Sequence, residues 1–233
     1  MAFSLEQVVP WGRSFAEYEE MFALGENDLL QRILGCGDGP AGFNSVLTAR
    51  GGRVVSADPL YCFSAAEIRG RIAATSPEVL EQARLNREEF VWDRIRSVEE
   101  LERLRLGAME LFLSDYAAGL QHKRYREAAL PRLPFADDSF DIALCSHFLF
   151  LYSEHFSEDF HVQSILELCR VAAEARIFPL LELGSRPSRH LEPVLDRLAR
   201  EGCDVLIETV TYEFQKGGNK MLRVQIRSEN SST

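Results

Sequence analysis

The chain has no C-x-x-C pair, and its five cysteines (Cys36, Cys62, Cys145, Cys169 and Cys203) are odd in number and scattered. That pattern excludes a zinc ribbon and argues against a disulfide framework, so a reducing compartment is expected. No apolar run approaches the ~20 residues that cross a bilayer. The opening MAFSLEQVVPWGRSF lacks a basic region followed by an apolar core, so no secretory signal is expected and the expected location is cytoplasmic. Positive charge is in short supply: Lys and Arg number 26 against 36 Asp and Glu, a formal net charge of −10. Such a surface repels phosphate backbones and anionic lipid, which excludes nucleic acid or membrane as the main partner. No internal repeat is visible.

What is present is 233 residues with 46% hydrophobic composition, enough to bury a full core in one α/β domain with an elaboration. The most informative stretch is RILGCGDGPAGFNSVLTARGGRVVSAD, from Arg32 to Asp58. Ile33 and Leu34 end an apolar run. Gly35, Gly37 and Gly39 alternate in a turn. Ala41 to Arg50 then carries Phe43, Val46 and Leu47 at helical spacing, and Val54-Val55 opens a second strand ending at Asp58. This is the first half of a nucleotide-binding α/β unit: glycines allow close backbone approach to a ligand, and an acid about 20 residues on accepts hydrogen bonds from ribose hydroxyls. Gly37, Gly39 and Gly42 also satisfy G-x-G-x-x-G, which leaves a nicotinamide or flavin cofactor open, as well as a tight turn with no ligand.

Ahead of this unit lies an irregular arm, residues 1–13, with Trp11 and Arg13. Ser14-x-x-Glu17 forms a capping box for a helix with Phe15, Tyr18, Met21 and Phe22 on one side and a stop at Gly25. After Asp58, Ser64-x-x-Glu67, Ser76-Pro77 and Ser97-x-x-Glu100 each signal a helix start. The next strand is expected at Arg124–Leu130. A helical insertion, about 64–122, therefore separates strands 2 and 3. It reads as a lid or specificity element, or as a buttress or dimer contact. Phe90, Trp92 and Tyr116 within it read as packing residues or, alternatively, as acceptor-site residues. Further on, Phe160–Ala172 reads as a helix and Arg176–Leu181 as strand 5, with Pro179 marking a bulge or the end of the ladder. Ser188 is expected to cap a helix ended by Gly202. Strands over Asp204–Phe214 and Met221–Arg227, joined by Lys216-Gly217-Gly218-Asn219, form a closing hairpin. The polar tail 228–233 is expected to be disordered.

The deciding phrase is LPFADDSFDIALCSHFLFLY, from Leu133 to Tyr152. Leu133-Pro134-Phe135, Asp137 and Ser139-Phe140-Asp141, followed by an apolar strand, resemble the L-P-F-x-D-x-S-F-D phrase of class I S-adenosylmethionine (SAM) methyltransferases of the small-molecule, type 11-like group. Gly35-Cys36-Gly37-Asp38-Gly39 likewise resembles their first motif, G-C-G-x-G. The resemblance covers about residues 14–227, the insertion excepted. It implies a Rossmann-like three-layer α/β sandwich whose seven-stranded, mostly parallel sheet ends in an antiparallel hairpin, formed by residues 1–227 as one domain.

The same resemblance implies SAM lying over Gly35, Cys36, Gly37, Asp38 and Gly39. Asp58 and Pro59 would meet the ribose, and Ala129 and Leu130 would lie beside adenine. Cys145 and Ser146 would stand near the methyl group. Arg13 would pair with the ligand carboxylate or remain a surface charge, and Tyr18 would cover the methionine portion or belong to the core. His147 is the candidate general base, or a structural histidine. No metal site is expected: His147, His155 and His161 lack ligand spacing. The family's N/D-P-P-Y/F phrase is absent, which points away from a nucleobase acceptor and toward a small molecule. Two family acids are missing: Ile33 stands where one usually precedes the glycines, and Ala129 where one usually meets the adenine amine. They motivate a second reading, a non-catalytic regulator that binds SAM or S-adenosylhomocysteine (SAH). A third, a nicotinamide-dependent reductase, requires a parallel sixth strand.

Overall fold

The computed structural model describes residues 8–227. The tail expected to be disordered, 228–233, and residues 1–7 of the arm lie outside that span. The strands are β1 (Arg32–Cys36), β2 (Arg53–Ala57), β3 (Tyr125–Arg126), β4 (Phe140–Ser146), β5 (Ala172–Phe178), a small hairpin of β6 (Leu181–Glu182) and β7 (Arg186–Pro187), β8 (Cys203–Thr209) and β9 (Lys220–Ile226). The helices are α1 (Phe15–Met21), α2 (Glu26–Leu29), α3 (Phe43–Ala49), α4 (Ala65–Leu85), α5 (Val98–Gln121), α6 (Glu158–Val171) and α7 (Leu191–Arg200). Seven strands form one sheet in the order β3-β2-β1-β4-β5-β9-β8. From β3 through β5 they run parallel, and β9 is antiparallel to both β5 and β8. The expected seven-stranded sandwich with its antiparallel closing hairpin is therefore present, and the parallel sixth strand that a reductase requires is absent among the described residues.

The layers follow from strand alternation. Successive side chains point to opposite faces. Leu34, Ala143 and Cys145 join one core with α6 and α7, while Ile33, Ile142 and Leu144 join a second with α1 and α3. Both faces are covered, so β1 and β4 are apolar over Ile33–Cys36 and Ile142–Cys145 instead of alternating, with the Arg32–Asp141 ion pair at their start. Ile33 is fully buried in the second core, where an ionised acid would be costly.

Several boundaries depart from the sequence reading. The expected helix start at Ser76-Pro77 does not exist: α4 continues through Pro77. Its buried stripe of Ile68, Ile72, Val79, Leu80 and Ala83 runs past the proline, and packing of that stripe outweighs the lost N–H bond. Strand β3 is two residues instead of seven, because β2 offers it only Ser56 and Ala57 before turning away at Asp58. Helix α1 ends at Met21 with Ala23 in the left-handed region, and Gly25 starts α2 instead of stopping α1. The ladder of β5 ends at Phe178, so Pro179 stands just beyond it. Ser188 accepts from the His190 N–H, one turn ahead of α7. Strand β8 stops at Thr209 because the chain then leaves the sheet to pair with the insertion: the Val91 N–H donates to the Phe214 carbonyl and the Lys216 N–H to the Glu89 carbonyl.

Candidate active site

The carboxyl ends of β1 to β4 meet at one side of the sheet, and the loops after them enclose a cavity of about 660 Å3. Sheets of this type bind ligands in that position, because the chain leaves β1 and β4 in opposite directions. Cys36 ends β1, and Gly37, Asp38 and Gly39 follow it; Asp58 and Pro59 follow β2; Ala129 and Leu130 follow β3; Ser146 ends β4, and His147 follows it; all of them line the cavity, as do Arg13 and Tyr18. Two expected residues do not. Cys145 is fully buried in the core at the end of β4, and Gly35 lies beneath the loop.

The glycine loop is built around a buried carboxylate. Gly37 and Gly39 have φ of +67° and +52°, where side chains other than glycine are strained. Asp38 turns back under the loop. Its Oδ1 accepts from the Tyr18 hydroxyl and its Oδ2 from the Ser56 hydroxyl, each at 2.7 Å. A Cβ on Gly35 would stand 1.8 Å from that carboxylate, which gives the first glycine its reason. Burial pushes the Asp38 carboxyl up to about 6, against the pull of its two hydroxyl donors. Tyr18 belongs to the core, with its ring stacked on Phe43 at 4.6 Å, while its hydroxyl reaches the site.

Asp58 is the hinge of the second loop. Oδ2 accepts from the Gly39 N–H at 2.8 Å and Oδ1 from the Leu60 N–H at 2.7 Å. Burial raises its carboxyl, and those two N–H groups hold it down. Each oxygen keeps a lone pair for a ligand hydroxyl. Leu60 lies in a single 3₁₀ turn, Pro59–Cys62, from which Tyr61 donates to the Gly39 carbonyl at 2.7 Å.

His147 stands just past the end of β4 with φ of +51°, a left-handed conformation uncommon for residues other than glycine. Its N–H donates to the Phe178 carbonyl at 2.6 Å, and its Nδ1 lies 3.0 Å from the Ser146 hydroxyl. Burial, and then Arg13 and Arg105, hold its imidazole well below the usual value, so it is neutral at physiological pH. His161 is structural: Nδ1 and Nε2 lie 2.7 and 3.1 Å from the carbonyls of Ser157 and Leu149. Among the described residues no cluster suits a metal ion.

Arg13 belongs to a charge cluster that sequence reading missed. Arg105, fully buried on α5, donates to both oxygens of Glu17 at 2.6 Å and lies 3.4 Å from the Tyr212 hydroxyl. Glu17 also accepts from Ser14 and from Tyr212. Burial lifts the Glu17 carboxyl, but Arg105 and Arg13 overcome this and set it at about 2. Arg13 donates Nη1–H to the Trp11 carbonyl at 2.5 Å, while its Nε is buried without a partner. Burial and then Arg105 lower Arg13 to about 10. Two guanidiniums thus face one carboxylate, and Arg13 is the uncompensated charge. The signal in the sequence was Arg105 itself, an arginine at helical spacing among Leu101, Ala108 and Phe112.

A second, smaller chamber of about 90 Å3 adjoins the first and shares Trp11, Arg13 and His147 with it. The insertion lies over both. Arg71, Ala74 and Thr75 of α4 line the larger cavity, while Val79 and Ala83, further along the same helix, line the smaller. Phe90 is a wall of the small chamber, stacked on Phe214 at 4.9 Å. Trp92 packs behind Phe90, and Tyr116 is buried in a separate aromatic cluster with Tyr61, Phe112 and Tyr125.

No family model matches the chain. Similar solved structures include magnesium protoporphyrin IX methyltransferase from Synechocystis PCC 6803 with bound SAM (12% identity, 87% of this chain and 73% of that one, TM-score 0.42). Others are a SAM-dependent methyltransferase from Aquifex aeolicus (17%, 83% and 80%, 0.40) and a possible histamine N-methyltransferase from Thermotoga maritima (12%, 91% and 90%, 0.41). These likenesses are distant; the strand order and the antiparallel β9 define the class, and the fold is that of the class I SAM methyltransferases. Within it, the chain belongs to the family of the uncharacterized protein MJ0045 of Methanocaldococcus jannaschii, with 33% identity over 223 residues, 95% of this chain and 98% of that protein.

Proposed function

We propose that the protein is a cytoplasmic SAM-dependent methyltransferase acting on a small-molecule acceptor, with residues 1–227 as one catalytic domain. One observation carries this reading: the loops after β1, β2, β3 and β4 converge on a single 660 Å3 cavity holding Asp58, Asp38, His147 and an uncompensated Arg13. The volume falls within the range of small-molecule sites. The residues fit the group. Arg13 pairs with the ligand carboxylate, a need set by its unmatched buried charge. Asp58 takes the ribose hydroxyls. The chain at Ala129 and Leu130 borders the adenine. Asp38 places a carboxylate beside the loop that the family normally supplies from position 33, and thus answers one of the two missing acids. When bound, SAM supplies an electrophilic methyl group, and the S–C electron pair returns to sulfur on transfer. His147, neutral and at the junction of the two cavities, takes the acceptor's proton, and its strained backbone fits a functional role. The net charge of −10 supports an acceptor other than nucleic acid or a membrane.

A non-catalytic SAM- or SAH-binding regulator is the second reading, favoured by Ala129, where no acid meets the adenine amine. Titration calorimetry with SAM, SAH, NADH and NADPH tests the ligand. Binding of both adenosyl ligands near 1 µM, about −8 kcal/mol, is expected, with none of either dinucleotide. Binding of a dinucleotide alone contradicts the assignment.

A further inference from the structure

The small chamber has a chemistry of its own. Its walls are Trp11, Phe90, Phe178, Tyr212 and Phe214, with Val79 and Ala83 from the insertion. At about 90 Å3 it has room for about three waters at roughly 30 Å3 each, the scale of one six-membered ring. Flat rings bind well between aromatic walls. The charged and titratable groups that face it are Arg13, His147, Tyr152 and Tyr212, with Arg105 and Glu17 in contact behind Tyr212. No carboxylate lines it among the described residues. Burial first, and then the positive charge of Arg13 and Arg105, disfavours a further cation at His147. An ammonium group of the same size meets the same penalty, whereas a hydroxyl that yields its proton is favoured.

We propose that this chamber is the acceptor site and takes a compact single-ring compound with a weakly acidic hydroxyl, of the phenol type, while excluding cationic amines. This rests on the methyltransferase reading above. The ring lies among the aromatic walls and the hydroxyl points to the junction at His147. Its oxygen lone pair forms the new C–O bond as the S–C bond of the methyl donor breaks, and its proton goes to the imidazole, whose gain of positive charge is offset by the loss of the sulfonium's.

Equilibrium dialysis with para-cresol and benzylamine separates the possibilities, since the two have the same number of non-hydrogen atoms and differ in charge at neutral pH. Each is measured with and without SAH. Para-cresol is expected to bind at least tenfold more tightly than benzylamine. Leu183→Trp and Gln215→Phe, two half-buried wall positions, fill the chamber from its rim. Each is expected to weaken para-cresol at least tenfold and to leave SAH affinity unchanged. Equal or tighter binding of benzylamine, failure of para-cresol to bind, or para-cresol binding that both variants leave intact overturns the proposal. Failure of SAH to bind, with para-cresol still captured, strikes the methyltransferase reading and not the chamber.

Discussion

The Tyr18 hydroxyl donates to the Asp38 carboxylate at 2.7 Å, and that bond ties the leading helix to the glycine loop. It also sets a pH dependence. The Asp38 carboxyl rises from an ordinary 3.8 to about 6 because it is buried, so the folded protein holds this proton more tightly than the unfolded chain. Its contribution to stability is fully present below the unfolded value and is lost as pH rises through 6. The difference amounts to about 3 kcal/mol at neutral pH. Asp38→Asn keeps an acceptor for Tyr18 and removes the titration. Urea denaturation is expected to show wild type losing up to about 3 kcal/mol relative to Asp38→Asn between about pH 4 and about pH 7. A difference that is flat across this range contradicts the account.

Glu17 is the anchor of the buried charge cluster. Removing it alone leaves Arg105 and Arg13 without a counter-charge, so Glu17→Gln is expected to cost about 3–5 kcal/mol. The double replacement Glu17→Leu, Arg105→Met is expected to recover part of that loss, since it removes one of the two guanidiniums and leaves Arg13 as the remaining ion of the cluster. The urea midpoint checks both. A Glu17→Gln protein as stable as wild type would show that Arg13 and Arg105 find other partners.

Pro77 lies inside α4 and, having no N–H, cannot donate the helical bond to the carbonyl four residues back. Pro77→Ala is expected to raise the melting temperature, by an effect of up to about 3 kcal/mol. No change would mean that the helix has already adapted to the proline in full.

The role proposed for His147, that of a base, requires its neutral form. Its imidazole sits well below the usual value, so the active form persists into acid. The rate of methyl transfer to para-cresol is expected to stay level down to about pH 6.5 and to fall a hundredfold or more in His147→Ala. Full activity of that variant across the pH range would remove His147 from the mechanism.

The fold was legible wherever one residue type has one meaning. The glycines at 35, 37 and 39 marked the turn after β1, and the apolar runs at Ile33-Leu34 and Ile142–Cys145 marked buried strands. Illegible features were those in which tertiary packing overrides a local signal. Pro77 reads as a helix start, yet the buried stripe from Ile68 to Ala83 carries the helix through it. Strand β3 looked long because RYREAAL has strand-like residues, but its only neighbour ends at Ala57. The burial of Asp38 beneath the loop was not legible either, because its partners Tyr18 and Ser56 lie 20 and 18 residues away in sequence. Arg105 and Tyr212 lie 107 residues apart, and only the fold brings them to Glu17.

Asp58 bears on the central claim most directly, because it braces the glycine loop through the Gly39 N–H and is assigned to the ribose. SAH affinity is to be compared by calorimetry between wild type and Asp58→Asn, with circular dichroism confirming an unchanged fold. Wild type is expected to bind near the micromolar range, and Asp58→Asn at least tenfold more weakly, about 1.4 kcal/mol. A wild-type protein that ignores SAH, or a variant that binds it equally well, would contradict the placement of the adenosyl ligand in this cavity.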